Sequence, residues 1–219
     1  MTDVLPFTKA QLQRARSLVR HAWDLAGLPF RFALLPDAWN KRCGWSSLEE
    51  ERLRAVLPQV EGRLLDVGCG ANRLVRCYGG DSVGVDVHDF GGGALIVDDT
   101  RHLPFDDGSF DTVSFVACLN HIPYRAEALR EAYRVLRPGG RIVLTMINRL
   151  FGRVGHAIWW YGEDRHRGGM AEGETGGLNV SEVIDLLGGA GFENARRRRF
   201  CYGMNGLYLA TKPGLRKAA

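Results

Sequence analysis

The chain has 219 residues, 45% of them hydrophobic, so it is long enough to bury one sizeable core in a single domain. Its 29 Lys and Arg against 25 Asp and Glu give a formal net charge of only +4, which argues against the concentrated basic surface of a nucleic-acid-binding protein. The five cysteines contain no C-x-x-C pair and leave an odd thiol under any disulfide scheme. No stretch approaches the roughly 20 apolar residues of a membrane span, and no signal peptide is evident. We therefore expect a reduced, cytoplasmic protein without a nucleic-acid partner.

An amphipathic helix is predicted over residues 8–26. Thr8 and Gln11 have the spacing of a capping box, and apolar side chains recur on one face. That stripe consists of Leu12, Ala15, Leu18, Val19, Ala22 and Trp23, and the nearby arginines are Arg14, Arg16 and Arg20. Such a stripe could lie on a membrane surface, but a lid over a cofactor cleft explains the same pattern, and we prefer the lid.

A loop rich in Pro and Trp is predicted to follow through Trp45. Ser47 and Glu50 then offer a second capping box, for a helix that reaches Leu57. Both helices precede the predicted sheet, so residues 1–60 are expected to form a helical lid.

From Gly62 onward, short apolar runs alternate with helical or turn-rich segments, which is typical of a parallel sheet covered on both faces. Strands are predicted at 63–67, 82–87, 94–98, 110–117 and 141–147. A helix from Arg125 to Leu136 precedes the last of these, and Arg137-Pro138-Gly139-Gly140 ends it. Residues 61–147 are therefore predicted to be the ligand-binding core.

The rest of the chain is predicted to complete the sheet. Residues 148–178 have no clear periodicity and form either a lid or a poorly ordered loop, an insertion on the substrate side. Residues 179–212 contain a helix, capped by Asn179 or Ser181, and two strands. Because those strands, 193–200 and 205–211, lie too close together for a crossover helix, they predict an antiparallel hairpin.

A glycine turn follows the first strand, in Leu64-Leu65-Asp66-Val67-Gly68-Cys69-Gly70-Ala71-Asn72. Glycines after a strand let a ligand approach the backbone, and a bound nucleotide is the obvious candidate. A dinucleotide-binding turn prefers glycine at the third position after Gly70, where this chain has Arg73. Asp86 ends the next apolar run, and its carboxylate can accept both hydroxyls of a ribose. Adenosine without a pyrophosphate therefore remains a candidate ligand.

The run from Leu64 to Ile147 resembles class I methyltransferases of the group that includes the ubiquinone and menaquinone methyltransferases. The matching pieces are Leu65-Asp66-Val67-Gly68-Cys69-Gly70, Gly84-Val85-Asp86, Asp99-Thr100-Arg101-His102-Leu103-Pro104-Phe105, Ser109-Phe110-Asp111, Asn120-His121-Ile122-Pro123 and Arg137-Pro138-Gly139-Gly140. The chain departs from this family at Asn72, where a third glycine is usual. Because Asn tolerates a left-handed backbone, we expect the turn to keep its shape.

The resemblance implies S-adenosyl-L-methionine as cofactor and S-adenosyl-L-homocysteine as product. It implies that Asp66, Gly68, Cys69 and Gly70 shape the methionine side, that Asp86 and Val87 border the ribose, that Asp99 and the Thr100 amide contact adenine, and that backbone at Cys118 and Leu119 faces the methionine amino group. It also implies a Rossmann-like, doubly wound α/β fold with seven strands in the order 3-2-1-4-5-7-6, the last strand antiparallel.

His121 is the candidate base, because it follows the fourth strand, where methyl group and acceptor should meet. A histidine that merely closes the turn before Pro123 is the alternative. Trp159, Trp160 and Tyr161 are candidates for an apolar wall against a substrate, or for ordinary packing. The spacing of His156 and His166 offers little support for a metal site, and none is predicted.

These observations predict methyl transfer, by in-line displacement, to oxygen, nitrogen or carbon of a small-molecule or lipid-like acceptor. Peripheral membrane contact fits the N-terminal stripe, and the oligomeric state is not predicted. One rival is an inactive S-adenosylmethionine-binding partner or regulatory subunit, suggested by Asn72. The other is an NAD-linked oxidoreductase, against which Arg73 and the missing Tyr-x-x-x-Lys argue.

Overall fold

The computed structural model describes residues 7–28, 30–31, 37–149, 152 and 172–214. The helices are α1 (Lys9–Gln13), α2 (Leu18–Ala26), α3 (Asp37–Arg42), α4 (Leu48–Val56), α5 (Arg73–Tyr78), α6 (Arg125–Val135) and α7 (Val180–Gly189). The strands are β1 (Leu64–Val67), β2 (Val83–Asp86), β3 (Leu95–Ile96), β4 (Phe110–Val116), β5 (Leu136–Ile147), β6 (Glu193–Phe200) and β7 (Asn205–Thr211). Short 3-10 turns occupy Leu57–Gln59, Leu119–His121 and Cys201–Gly203.

The strands form one seven-stranded sheet in the order β3-β2-β1-β4-β5-β7-β6. β1 pairs in parallel with β2 and β4, and β4 pairs in parallel with β5. β7 runs antiparallel to both of its neighbours, β5 and β6. The predicted fold class and closing hairpin are therefore confirmed.

Helices cover both faces of the sheet, which is why β1 is buried along its whole length. Successive strand residues point to opposite faces. Leu64 accordingly packs in a cluster with residues of α1, α4 and α5, such as Leu12, whereas Leu65 packs in a larger cluster with residues of α6 and α7, such as Leu187. The carboxyl ends of the parallel strands emerge between these two helical layers.

The prediction of one continuous helix over residues 8–26 is wrong, because the structure has two helices there. The Thr8 capping box is present, but α1 ends after Gln13 because Arg14 is extended, and Ser17 caps a separate helix, α2, by accepting a hydrogen bond from the Arg20 amide. The predicted stripe is divided accordingly: its first residue packs in the core, and its later residues are exposed. Whether residues 1–60 act as a lid stays a prediction.

The structure also differs from the predicted elements at a helix, a helix cap and the start of a strand. Helix α3 lies within the predicted Pro/Trp loop. Only half of the second capping box forms, because the Glu50 side chain binds Arg54 (2.9 Å) and does not reach back to the cap. β5 begins before residue 141, since Leu136 already pairs with Phe110 of β4. Within the described part of the chain, no helix is long and apolar enough to cross a membrane.

Candidate cofactor and acceptor site

The candidate residues collect at the carboxyl edge of β1, β2 and β4. Parallel pairing sets Asp66 opposite Gly84 of β2 and opposite Ser114 of β4. Because the carboxyl ends of parallel strands meet at one edge, the turn after β1 and the loops after β2 and β4 become neighbours there. The structure thus brings together residues that are up to 55 positions apart in sequence, such as Asn120 and Thr175.

The turn after β1 requires glycine at two positions. Gly68 has φ +67° and Gly70 has φ +53°, both in the left-handed region. A Cβ on Gly68 would lie 2.6 Å from the Cβ of Cys118, whereas a Cβ on Gly70 would meet nothing within 4 Å. Gly68 therefore allows the strands to pack, and Gly70 keeps an open face that a ligand can approach.

Asp66 is buried at the bottom of this edge. The Ser114 hydroxyl donates to its carboxyl group, with 2.6 Å between Oγ and Oδ1. Burial raises the pKa of Asp66 to about 7; the Ser114 hydrogen bond lowers the pKa and the charge of Asp86 raises it. Near neutral pH, Asp66 is therefore about half ionised. An approaching cation would favour the ionised form.

Asp86, also buried, binds the glycine turn directly. The Gly70 amide donates to Oδ2 (2.8 Å), and the His88 amide donates to Oδ1 (3.1 Å). An ionised carboxylate has about four acceptor sites, so each oxygen retains capacity for a hydroxyl donor. Val87, the next residue, is partly exposed beside it.

Asn72 shows how the turn accommodates its departure from the family pattern. Its φ of 56° is left-handed, as the sequence predicted, and it caps α5. The buried side chain donates to the Gly93 carbonyl (3.3 Å), and a Cβ on Gly84 would lie 2.1 Å from its Oδ1. Gly84 thus provides the space that the Asn72 amide occupies.

Two thiols line the turn without being suited to nucleophilic chemistry. Cys118 donates through Sγ to the Val67 carbonyl (2.9 Å). Burial, together with the charges of Asp66 and Asp86, raises the pKa values of both Cys69 and Cys118. The thiols therefore stay protonated, and they do not offer a covalent route.

The loop after β3 forms an open depression next to this edge, lined by Ile96, Val97, Asp98, Asp99, His102 and Pro104. Asp99 accepts hydrogen bonds from the backbone (2.8 Å) and the side chain (2.5 Å) of Arg101. Thr100 is buried beside it. The arrangement holds the Asp99 carboxylate in one orientation at the mouth of the depression.

His121 lies at the other side of the edge and contacts an acidic residue that sequence patterns missed. Its Nδ1 is 3.3 Å from Oε2 of Glu174, and both side chains are largely buried. Leu119, two residues before His121, is fully buried. Glu174 belongs to residues 148–178, where the sequence offers no motif, so only the fold could reveal this pair.

Arg125 and Asn120 hold the Glu174 segment against the end of β4. Arg125 donates to the carbonyls of Leu119 (3.1 Å), Asn120 (3.0 Å) and Gly173 (2.6 Å). Asn120 donates to the Thr175 carbonyl (3.1 Å) and accepts from the Thr175 amide through its own carbonyl (2.9 Å). Asn120 does belong to a motif noted in the sequence, whereas the role of Arg125 had no sequence signal.

The remaining predicted substrate residues, Trp159, Trp160 and Tyr161, lie outside the described residues. Among the residues that are described, no group of three or more His, Cys, Asp or Glu side chains could hold a metal ion. Two buried carboxylates flank the open glycine turn. These hydrogen-bond acceptors suit a cationic organic ligand that carries hydroxyl groups. S-adenosylmethionine, with its ammonium and ribose hydroxyls, has this chemistry.

Comparison with known proteins agrees with this geometry. Residues 65–144 match the family described as methyltransferase domain. The chain is 30% identical over 131 residues to a demethylmenaquinone methyltransferase of Lactiplantibacillus plantarum (51% of this chain, 53% of the relative). It is 36% identical over 114 residues to the 27-O-demethylrifamycin SV methyltransferase of Amycolatopsis mediterranei (43% of this chain, 42% of the relative). The chain thus spans about half the length of the curated relatives it matches.

A solved structure resembles the fold over most of the chain. It is a SAM-dependent methyltransferase from Thermotoga maritima, described as a possible histamine N-methyltransferase, with a TM-score of 0.60 and 21% identity. The match covers 88% of this chain and 95% of the other. At this identity the likeness bears on the fold alone.

Proposed function

We propose that the chain carries a class I S-adenosylmethionine-dependent methyltransferase domain and methylates oxygen, nitrogen or carbon of a small-molecule or lipid-like acceptor. The observation that carries the proposal is the pair of buried carboxylates, Asp66 and Asp86, on either side of an open glycine turn. The names of the two curated relatives, which refer to a menaquinone and a rifamycin precursor, support an acceptor of this class.

We assign the cofactor's parts to residues by their chemistry. Asp86 accepts the ribose hydroxyls, with Val87 beside it; the turn Gly68-Cys69-Gly70, with Asp66, holds the methionine portion. Asp99 and Thr100 border the adenine, and backbone at Cys118 and Leu119 faces the methionine amino group. When bound, S-adenosylmethionine supplies a methyl group on a positively charged sulfur, whose charge is lost as the acceptor attacks in line.

We further propose His121 as the base for acceptors that must lose a proton. An ionised carboxylate only accepts hydrogen bonds, so the contact with Glu174 favours the His121 tautomer that carries its proton on Nδ1. The basic lone pair is then on Nε2. Glu174 acts here as a positioning residue that fixes the tautomer and stabilises the protonated ring. An amine that is already neutral can attack without this base.

Residues 1–60 and 148–178 are the regions proposed to select the acceptor. The methyltransferase motifs lie between these two regions, within residues 64–147. Trp159, Trp160 and Tyr161 remain candidates for an apolar wall in that second region.

Calorimetric titration of the purified protein with S-adenosylmethionine and S-adenosylhomocysteine, with NAD as a control ligand, tests the proposal. Asp86→Asn should weaken binding of both adenosyl ligands by at least about tenfold, because the amide has one acceptor oxygen where the carboxylate has two, and it carries no charge. Asp81→Asn is the matched control: that carboxylate precedes the same strand but is exposed, and it pairs with Arg63.

The outcomes separate the possible functions. Binding of S-adenosylmethionine that weakens in Asp86→Asn but not in Asp81→Asn supports the cofactor site. Binding of NAD alone, or no binding by the folded protein, would overturn it. Binding without turnover across quinols, phenols and amines would identify an inactive cofactor-binding module.

A further inference from the structure

Helix α2 rests on the protein through its charged side. Asp24 is fully buried and accepts hydrogen bonds from the amide (2.9 Å) and hydroxyl (2.8 Å) of Ser46. The buried Arg31 guanidinium lies 3.7 Å from Asp24 and 3.1 Å from Glu51 of α4. Arg16 also pairs with Glu51, at 2.7 Å. These buried ion pairs fix the orientation of α2.

The opposite side of α2 is apolar and exposed. We call it the α2 outer face; it consists of Leu18, Val19, Ala22, Trp23 and Ala26, which share one side of the helix. Leu18 is 87% exposed, Val19 79% and Trp23 51%. A surface helix of a globular protein normally buries its apolar stripe and exposes its charges. Helix α2 does the reverse, so its apolar face is suited to a partner outside the described chain.

Aromatic and cationic side chains are exposed on α2 and on α3, the helix that ends just before Cys43. The Trp23 indole donates to the Cys43 carbonyl (3.0 Å), which holds the ring in place while half of it remains exposed. Trp39 is also about half exposed, and the Arg42 guanidinium lies 5.5 Å from its ring centroid. Arg14, just before α2, is exposed as well. Trp and Arg near an exposed apolar helix face are typical of helices that lie in the membrane interface.

The exposed charges that the structure describes on this surface have one sign. Among the side chains of residues 7–47 that the structure describes, Asp24 is the one carboxylate, and it is buried. The exposed charges are therefore cations, including Arg14 and Arg42. A second copy docked symmetrically on the same face would bring these cations against each other. Anionic lipid headgroups, in contrast, complement both the charge and the apolar surface.

We propose that the α2 outer face, together with Trp39, binds the interfacial region of membranes that contain anionic lipids. The apolar side chains enter the boundary between headgroups and acyl chains, and the flanking arginines contact lipid phosphates. This interaction does not depend on cofactor binding or methyl transfer.

Flotation with vesicles of phosphatidylcholine mixed with phosphatidylglycerol, and of phosphatidylcholine alone, tests the proposal on the ligand-free protein. The wild type should float with the mixed vesicles, less with the neutral ones, and less as salt is added. Leu18→Glu combined with Val19→Glu should lower the bound fraction by about tenfold or more, since it places charge in the apolar contact. Leu95→Glu, at an exposed position on β3, is the matched control and should float like the wild type.

Because Leu18 and Val19 are so exposed, their double variant should keep the wild-type circular dichroism spectrum and thermal midpoint. Vesicle binding that is absent in the wild type, or unchanged in the double variant, overturns the proposal. So does sedimentation showing a wild-type dimer that the double variant converts to a monomer, with no vesicle binding by either; the face would then bind a second copy.

Discussion

The carboxylate of Asp86 accepts a hydrogen bond from the backbone N–H of Gly70, with 2.8 Å between Oδ2 and the amide nitrogen. This contact joins the end of β2 to the turn after β1, so it holds the proposed ribose acceptor against the open glycine turn. Rigid placement of this kind reduces the ordering that a ligand must impose when it binds.

The two turn glycines should respond differently to alanine. Both substitutions introduce a side chain in a left-handed conformation, at about 1–2 kcal/mol, but only Gly68→Ala also forces a Cβ against Cys118. We expect Gly68→Ala to lower the free energy of unfolding by about 2–5 kcal/mol and Gly70→Ala by about 1–2 kcal/mol, measured by chemical denaturation.

Gly70→Ala is then the more informative variant for the cofactor. It should remain folded, yet its new methyl group stands on the open face of the turn, so S-adenosylmethionine binding should weaken by about tenfold or more. Unchanged affinity in a folded Gly70→Ala protein would show that the ligand does not approach this face.

The ionisation of Asp66 should make stability depend on pH. Burial raises the pKa of Asp66 to about 7 in the folded protein, whereas an unfolded aspartate titrates near about 4. The stabilisation linked to its bound proton is therefore fully present below about pH 4 and is lost as the pH rises through about 7.

Asp66→Asn removes this titration. Its unfolding free energy relative to wild type should increase over that pH interval, by up to roughly 4 kcal/mol, in denaturation series on the ligand-free proteins. Asp81→Asn should show little change, since Asp81 is exposed. A constant difference between Asp66→Asn and wild type across the interval would mean that folding does not raise the pKa of Asp66.

The sheet, its closing hairpin and the turn after β1 could be predicted, because short sequence motifs mark each of them. The structure confirms the strand order, which the resemblance carried by motifs such as that around Asp66 and Gly70 implied. It also confirms the antiparallel hairpin that the short link between the last two strands predicted. The left-handed conformation of Asn72 was also foreseen from its residue type.

Other features could not be predicted because they depend on contacts distant in sequence. The break between α1 and α2 occurs where Leu12 joins the core while Leu18 turns outward, although helical spacing alone unites them. Glu174 meets His121 across 53 positions, and no periodicity in its own segment indicates that contact.

The buried charges under α2 should contribute strongly to local stability. Asp24→Asn keeps hydrogen-bonding capacity toward Ser46 but removes the negative charge of Asp24 from beside the buried Arg31 guanidinium. We expect a loss of about 3 kcal/mol, and faster hydrogen exchange of the α2 amides. Denaturation and exchange measurements provide the test, with the exposed pair Glu127 and Arg130 as reference.

For that reference, Glu127→Gln should cost less than about 1 kcal/mol, because solvent screens the pair. If Asp24→Asn and Glu127→Gln lower the free energy of unfolding equally, the buried charges under α2 stabilise the protein no more than a surface ion pair does.

The contact between His121 and Glu174 should appear in the pH dependence of turnover. For an acceptor that attacks through a hydroxyl, His121→Asn should lower kcat by about 10²- to 10⁴-fold while leaving the Kd for S-adenosylmethionine unchanged. Glu174→Gln removes an opposite charge beside the ring, so it should lower the pKa of His121 and move the acidic limb of the kcat profile to lower pH.

The matched control is Glu172→Gln, an exposed carboxylate two residues away, which should leave the profile in place. If His121→Asn retains kcat within about threefold of wild type, proton removal by this ring is wrong. A lower kcat in Glu174→Gln without any shift of the limb would assign Glu174 to holding its loop against Asn120 and Arg125, and not to the histidine.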